Sequence, residues 1–300
     1  MPELPEVETV RAGLARELIG KKVKAAPVSD GRSTRRHPSA KDFRALLEGR
    51  TVKSVERLGK YLACALDNGS HLVIHLGMTG QLLKAKNAKV PKPKHTHVVL
   101  QLSTNEEIRF ADQRTFGEMF VSLPVGEGEE VPISRFARLA IGGNGLSLRS
   151  RVRELAHLGL DPFEDQVGWD RFVAITRSRH VPLKALLTDQ EILSGLGNIY
   201  ADEVLFSAGL RYDRPSDELT TVEARRLHRT IPEVLTEAIK AGGTTLSDEM
   251  FVDLEGAPGR FQNQLQVHTR EGEPCPQCRT PIERVVFRDR STYFCPRCQS

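Results

Sequence analysis

Hydrophobic and polar positions follow different periods in different parts of the chain. Residues 3–19 place apolar side chains at helical spacing, with acidic residues early and Gly20 at the end, which predicts one amphipathic helix. Residues 21–122 contain short, often alternating segments divided by Gly, Asn and Asp, which predict antiparallel strands and hairpins. Helical spacing returns over residues 151–242 and predicts four or five helices, followed by a Gly- and Pro-containing loop to about residue 260.

These elements predict an α+β fold. An N-terminal helix lies on an antiparallel β-sandwich, and a C-terminal helical domain ends in a metal-binding hairpin. The predicted domains are a β-sandwich domain (1–125), a linker or insertion rich in Gly and charge (126–150), a helical domain with its loop (151–260) and a cysteine module (261–300).

Composition narrows the functional classes. A chain of 300 residues with 39% hydrophobic residues can form two modest cores. There is no apolar run of membrane-spanning length and no signal-peptide pattern, so we expect no membrane contact and a cytoplasmic location. The net charge of +4 is compatible with nucleic acid. Basic residues cluster in two stretches, which are either DNA contacts or solvated loops: Arg32, Arg35, Arg36 and Lys84, Lys86, Lys89, Lys92, Lys94.

Four of the five cysteines form the pattern C-x2-C-x16-C-x2-C. Two CxxC pairs joined by a hairpin-length segment predict a closed, four-thiolate site for one structural Zn²⁺ ion, and a pair of redox motifs is the alternative. Cys64 lies in an apolar alternating run and is interpreted as a small buried hydrophobe. The predicted metal ligands are Cys275, Cys278, Cys295 and Cys298.

The first residues carry a candidate nucleophile. Removal of Met1 would leave Pro2 with a free secondary amine. An α-amine has a pKa of about 8, so a larger fraction of it is neutral at pH 7 than of a lysine side chain. Such an amine can attack a sugar carbon and form a Schiff base. Glu3 and Glu6 place carboxylates beside it. The alternative is that these residues only begin a helix well.

The string MPELPEVETV resembles the N-terminus of the formamidopyrimidine-DNA glycosylases, the bacterial 8-oxoguanine DNA glycosylases. The resemblance covers nearly the whole chain, and Leu4 favours this branch over the sister endonuclease VIII branch. It continues, in the family's order, through GKYL (59–62), HLGMTG (75–80), KHTHV (94–98), DQRTFG (112–117), SGLGNIYADEVL (194–205), GGTTL (242–246), FQNQLQV (261–267) and the cysteine module.

The resemblance implies a base-excision-repair enzyme that acts on damaged double-stranded DNA crossing between the two halves of the molecule. It implies excision of 8-oxoguanine opposite cytosine and of formamidopyrimidines, followed by β,δ-elimination at the abasic site. Pro2 would be the nucleophile and Glu3 the general acid, while Lys60 and Arg290 would bind phosphates beside the lesion. A monomer is expected.

The resemblance also implies the DNA-binding residues. Met78, Arg114 and Phe116 would fill the gap left by the flipped nucleotide. Asn198 would donate to the DNA backbone from a helix-two-turn-helix motif. The other DNA-binding positions are His75, His95, Arg179 and Lys184.

Three features differ from the family pattern, and two other functions stay open. Thr115 replaces a frequent second arginine, residues 130–155 look like an insertion, and the lesion-covering loop Thr244–Gly259 looks slightly lengthened. The alternatives are an oxidised-pyrimidine glycosylase of the endonuclease VIII branch and a non-catalytic lesion-binding protein.

Overall fold

The structure of the chain is a computed structural model that describes residues 1–140, 142–246 and 251–300. Its internal contacts divide it into two units. The first contains Met1–Glu129, Arg151–Glu154 and Ile239–Gln262, and the second contains Glu130–Ser150, Leu155–Ala238 and Asn263–Ser300. Neither unit is continuous along the chain. The three boundaries between the four domains drawn from the sequence stay predictions.

The first unit contains two four-stranded antiparallel sheets and two helices, α1 (Leu4–Leu18) and α2 (Ala40–Leu47). One sheet has the order β2-β3-β4-β8 and the other β1-β6-β7-β5. This confirms the predicted helix on an antiparallel β-sandwich. The strands are β1 (Val23–Ala25), β2 (Val52–Leu58), β3 (Tyr61–Leu66), β4 (His71–His75), β5 (Gly80–Ala85), β6 (Thr96–Leu102), β7 (Glu107–Asp112) and β8 (Glu118–Ser122).

Helix α1 begins and ends where its sequence favours both. Glu3 and Glu6 form a capping box, and Pro5 in the first turn needs no backbone donor. Gly20, two residues past the end, adopts φ +80°, a left-handed conformation that glycine accepts without strain. Val10 and Leu14 on the buried face of α1 belong to the same core as inner residues of both sheets, which include Leu62, Ile74, Leu100 and Phe110.

The second unit contains the remaining helices and two short sheets. Helix α4 (Trp169–Thr176) precedes α5 (Leu183–Thr188), α6 (Asn198–Ala208) and the long α7 (Thr221–Lys240), whose last residues belong to the first unit. Helix α3 (Asn144–Arg151) follows a two-residue strand β9 (Gly142–Gly143), which pairs with β10 (Asp165–Gln166). The predicted insertion 130–155 covers this part of the chain, and its residue 141 lies outside the described residues.

A turn at residues 190–192 and a bend at 194–195 connect α5 to α6, and the Gln190 side chain holds this connection. Its amide nitrogen donates to the carbonyls of Thr188 and Leu196, both at 2.9 Å, while its oxygen accepts from the Gly195 N–H at 2.9 Å. One side chain thereby satisfies three backbone groups between the helices. The start of α6 is fixed relative to α5 in this way.

The C-terminal hairpin pairs β11 (Glu283–Phe287) with β12 (Arg290–Phe294). Its turn consists of Arg288 and Asp289, with φ values of 47° and 61°. Two consecutive positive φ values are the geometry of a two-residue type I′ turn, which matches the twist of a hairpin. Arg290 is therefore the first residue after a tight turn.

Candidate active site

The N-terminal residues are buried, and one carboxylate holds them. Pro2 is buried and Glu3 is 2% exposed. Glu6 accepts the Glu3 N–H through Oε2 at 2.8 Å and the Thr244 N–H through Oε1 at 2.7 Å. The start of α1 and the loop at residue 244 are thus joined by two charge-assisted hydrogen bonds. With Met1 attached, the Pro2 nitrogen is an amide.

Lys60 lies in the turn between β2 and β3 and is 7% exposed. The preceding Gly59 has φ +57°. Its carbonyl accepts from Arg57 Nη1 at 3.1 Å, and Arg57 Nε donates to Glu8 Oε2 at 3.1 Å. The Arg57 side chain is completely buried, so this ion pair to α1 fixes the turn that presents Lys60.

Asp112 organises the two turns that contain the predicted gap-filling residues. Its Oδ2 accepts the Gly117 N–H at 2.7 Å, and its Oδ1 accepts the Arg114 N–H at 3.2 Å and the Thr79 hydroxyl. Gly77 approaches the other turn so closely that a Cβ there would lie 2.4 Å from the Gly117 nitrogen. The two turns are therefore in direct backbone contact.

The side chains on these turns differ in exposure. Phe116 is 52% exposed, an unusual state for a phenylalanine, and the exposed Arg114 guanidinium lies 4.9 Å from its ring centroid. Met78 is partly buried. Thr115 has φ +54°, which is strained for a β-branched residue. An exposed aromatic ring and a guanidinium on a braced turn can be inserted into a base stack.

His75 is the neutral histidine of this group. Burial lowers its pKa to about 4, although the nearby Glu118 carboxylate opposes the shift. Its Nδ1 lies 3.3 Å from the Gly77 nitrogen and accepts that N–H, which leaves the hydrogen on Nε2. The ring packs on Tyr61 with centroids 4.5 Å apart. His95, in contrast, is exposed and has φ +58°.

In the second unit, Lys184 is buried in a polar network. Its Nζ donates to Asp202 Oδ1 at 2.6 Å and to the Thr292 hydroxyl at 2.7 Å. Asp202 Oδ2 also interacts with His268 Nδ1 at 2.8 Å. Lys184 is 2% exposed, so in this structure it links α5, α6 and β12. Its contact with DNA stays a prediction.

Three further predicted DNA-binding residues belong to the second unit. Asn198, the first residue of α6, donates from Nδ2 to the Ser291 carbonyl at 2.9 Å. Arg290 is exposed on β12. Arg179 is partly buried and forms an ion pair with Asp189 at 3.2 Å.

Glu203 is a structurally important residue that the sequence analysis did not identify. It is 2% exposed and accepts the backbone N–H groups of Gln266, Val267 and His268 at 2.8, 3.0 and 2.9 Å. Burial raises its pKa, while these three donors favour the charged form. An acidic pair within the otherwise apolar stretch NIYADEVLFSA was the available signal.

The four clustered cysteines fit one tetrahedral metal ion. Their sulfur atoms all lie within 4.8 Å of one another, with Sγ–Sγ distances of 3.9 Å for Cys275–Cys298 and 3.4 Å for Cys278–Cys295. Zinc–thiolate bonds of about 2.3 Å place tetrahedral sulfur atoms about 3.8 Å apart. Four thiolates leave no open position, so the chain has one structural zinc site. Cys64 is fully buried, and burial raises its pKa to about 12.

The predicted site residues therefore form two groups. The first unit contains Pro2, Glu3, Lys60, His75, Met78, His95, Arg114 and Phe116, and the second contains Arg179, Lys184, Asn198, Arg290 and the cysteines. Their assigned roles stay predictions. Residues 247–250 of the predicted lesion-covering loop lie outside the described residues. Among the helices that the structure does describe, none is long and apolar enough to span a membrane.

Three domain families match the chain. The formamidopyrimidine-DNA glycosylase N-terminal domain matches residues 1–119, and the formamidopyrimidine-DNA glycosylase H2TH domain matches residues 158–250. The zinc finger found in FPG and IleRS matches residues 272–300. Together these matches cover nearly all of the sandwich, the connection between α5 and α6, and the cysteine hairpin.

Whole-length relatives agree with these matches. The chain is 43% identical over 301 residues to the formamidopyrimidine-DNA glycosylase of Salinispora arenicola, covering 100% of this chain and 96% of that protein. The crystal structure of MutM (Fpg) from Thermus thermophilus superimposes with a TM-score of 0.80 at 40% identity, covering 99% and 98% of the two chains. Lactococcus lactis Fpg in complex with abasic-site DNA gives a TM-score of 0.82 at 29% identity, with 99% of each chain covered.

Proposed function

Because the chain belongs to the formamidopyrimidine-DNA glycosylase family, whose members have glycosylase and AP lyase activity, we propose that it excises oxidised purines from duplex DNA and cleaves the strand. The proposed substrates are 8-oxoguanine opposite cytosine and formamidopyrimidines. A monomeric enzyme in the cytoplasm is part of this proposal.

The proposed chemistry begins at Pro2 after Met1 is removed. The free amine attacks C1′ of the flipped nucleotide, and the sugar ring oxygen takes a proton from Glu3 as the ring opens. The proline nitrogen loses its proton, the base leaves with its bonding electron pair, and the resulting iminium ion makes the C2′ proton acidic. Loss of that proton expels the 3′ phosphate, and a second elimination expels the 5′ phosphate.

The observation that carries the proposal is the position of Pro2 and Glu3. Both lie buried at the start of α1, and Glu6 ties this segment to the loop at Thr244. Once Met1 is removed, this segment presents a secondary amine and a carboxyl group in a water-poor environment, and these are the groups that iminium formation and ring opening require. A helix that only needed a good start would not require Glu6 to engage a second segment.

The DNA contacts are proposed in two sets. Lys60 and Arg290 bind phosphates beside the lesion, and Asn198 and the remaining predicted residues bind the backbone. Met78, Arg114 and Phe116 occupy the gap left by the extruded base, where the exposed ring and guanidinium of the Asp112-braced turn support this role. His75 is neutral at pH 7, so it would contribute a hydrogen-bond donor and no charge.

A duplex panel tests the proposal. Duplexes with 8-oxoguanine or a formamidopyrimidine opposite cytosine should be cleaved with both phosphates left on the gap, and thymine glycol should be cleaved much more slowly. Preferential cleavage of thymine glycol would indicate the oxidised-pyrimidine activity instead. Binding of lesion DNA without cleavage of any duplex, including a preformed abasic site, would indicate a lesion-binding protein.

A further inference from the structure

A lysine loop, defined as residues 86–95, joins β5 to β6 in the first unit. Its four lysines and His95 are all exposed, and the sequence contains no acidic residue between positions 86 and 105. Lys84, just before the loop, is different because it forms an ion pair with Glu17 at 2.8 Å. None of the ion pairs among the described residues involves Lys86, Lys89, Lys92 or Lys94.

A buried arginine holds the backbone of this loop. Arg109 on β7 is 1% exposed, and its guanidinium donates to the carbonyls of Val90 and Pro91, both at 2.9 Å, and of Asn87 at 3.3 Å. Glu107 neutralises Arg109 through a 2.7 Å ion pair between side chains that are each 2% exposed. One guanidinium therefore fixes three loop carbonyls while its own charge is compensated.

The groups that hold the backbone of the lysine loop are different from the groups that carry its exposed positive charge. Burying an arginine is costly unless it is paired and hydrogen-bonded. Here Glu107 pairs with the Arg109 guanidinium, and its other hydrogen bonds go to the loop backbone. The lysine side chains contribute nothing to that anchoring. A polyanion that binds them meets a backbone already ordered, so binding requires less loss of conformational freedom.

The loop is continuous with the candidate DNA-binding turns. The Asp112 N–H donates to the His95 carbonyl at 3.0 Å, and the same Asp112 side chain braces the turn that carries Arg114. His97 Nε2 also lies 2.7 Å from the Asp112 carbonyl oxygen. The last residue of the lysine loop is thus hydrogen-bonded to the first residue of the proposed gap-filling turn.

We propose that the lysine loop is a lesion-independent binding surface for the phosphates of duplex DNA, with Arg109 as the residue that sets its shape. The inference rests on the proposed function only for the choice of DNA as the polyanion. Its contribution is electrostatic, so it adds affinity for undamaged and damaged duplexes alike and weakens with salt. The surface extends the contact outward from the gap-filling turn along the flanking duplex.

The test measures the affinity of the whole chain for an undamaged duplex by fluorescence anisotropy over a range of NaCl concentrations. The double substitution K89Q/K92Q removes two loop charges, and K41Q/K53Q, at two exposed lysines on α2 and β2, removes the same charge elsewhere. The slope of log K against log salt is negative, and each lost phosphate contact reduces its magnitude by about 0.9. The loop variant should therefore have a slope about 1.8 smaller in magnitude than that of the parent chain. The control variant should keep the parent slope.

A second variant tests the anchor. Arg109→Lys keeps the charge beside Glu107 and all four loop lysines, yet a lysine cannot reproduce the three-carbonyl fork. It should raise amide hydrogen exchange within the lysine loop and weaken duplex binding several-fold at low salt. If Arg109→Lys fails to fold, the comparison of K89Q/K92Q with K41Q/K53Q still decides the proposal.

Equal salt slopes for the two double variants would overturn the inference. A loop variant that binds duplex DNA normally and loses only its affinity for RNA would also overturn it. Cleavage of 8-oxoguanine duplex by the unsubstituted chain is measured separately. A loop-dependent salt slope in a chain without cleavage would keep this surface and reject the proposed function. Cleavage together with equal salt slopes for the two double variants would keep the proposed function and reject this surface.

Discussion

The substitution Glu6→Gln tests how the N-terminal residues are held. Both Glu6 oxygens accept backbone N–H groups, one from Glu3 at 2.8 Å and one from Thr244 at 2.7 Å. A glutamine has a single acceptor oxygen, so its NH₂ group must face one of these two donors. One hydrogen bond is lost, one buried N–H is left unsatisfied, and the remaining bond is no longer charge-assisted.

The expected cost follows from those losses. A hydrogen bond to a charged group contributes about 1.5 to 3 kcal/mol, and an unsatisfied buried donor costs about 1 to 3 kcal/mol. Since part of the second value is already contained in the first, we expect the free energy of local opening to fall by about 2 to 4 kcal/mol. Displacement of Glu3 should also slow base excision by about 100-fold.

Hydrogen exchange and single-turnover kinetics measure the two effects. Amide protection at Glu3 and Thr244 should fall by roughly 30- to 1,000-fold, the equivalent of that free energy. Glu17→Gln is the matched control on the same helix, because Glu17 pairs only at the surface, with Lys21 at 3.3 Å and Lys84 at 2.8 Å. Such pairs contribute about 0 to 1 kcal/mol. Normal protection and normal excision in Glu6→Gln would refute the bridging role of Glu6.

Three other substitutions have defined outcomes. The folded-state pKa of His75, about 4, lies below the unfolded value of about 6.5, so the unfolded chain binds more protons between these values and stability falls as pH drops from 6.5 to 4. His75→Asn should remove about 2 to 3 kcal/mol of that dependence in denaturation at several pH values, and an unchanged profile would contradict the burial argument. Cys295→Ser should lower the zinc content from about one ion per chain and weaken binding of lesion DNA through the hairpin that carries Arg290; normal binding would exclude the module from the site. Arg114→Ala should reduce discrimination for cytosine opposite the lesion by about 1 to 3 kcal/mol in competition binding, and an unchanged preference would remove Arg114 from that role.

Local patterns predicted the elements whose sequence and packing agree. The helical spacing from Leu4 to Leu18 corresponds to a buried helix face, and the alternating segments form the two sheets. The cysteine spacing likewise leads directly to the clustered thiols, because CxxC pairs at the ends of a short hairpin have few ways to meet. In these segments the local preference and the tertiary environment favour the same structure.

Helical spacing predicted longer helices than the structure has in segments where side chains form hydrogen bonds with backbone groups. Residues 182–196, within the stretch 151–242 whose spacing predicts helices, are helical only over Leu183–Thr188. Asp189 Oδ1 accepts the Glu191 N–H at 3.0 Å, and Gln190 holds the following turns. Residues 151–160 of the same stretch form only the end of α3 and a single 3₁₀ turn, and a Cβ at Gly159 would lie 2.3 Å from the Ile192 carbonyl carbon. That close backbone approach is a tertiary contact, which periodicity does not report.

The buried charged residues were the least predictable part of the candidate site. Lys184 reads as a surface cation, yet it pairs with Asp202 and with Thr292, 108 positions away. Arg57 likewise pairs with Glu8, 49 positions away, and Arg109 bonds the Val90 carbonyl, 19 positions away. Partners so distant in sequence are brought together only by the fold, so their roles become visible only in the structure.

The central claim, that Pro2 is the nucleophile, is tested most directly by trapping with borohydride. Chain whose mass shows that Met1 has been removed is mixed with abasic-site or 8-oxoguanine duplex, and reduction of the iminium ion should give a stable protein–DNA cross-link at Pro2. The same chain with an uncleaved N-terminal extension has an amide nitrogen at Pro2, and it should trap nothing and leave abasic DNA intact. Efficient trapping by protein that retains Met1 would contradict the account and would point to a lysine, with Lys60 the first to be examined.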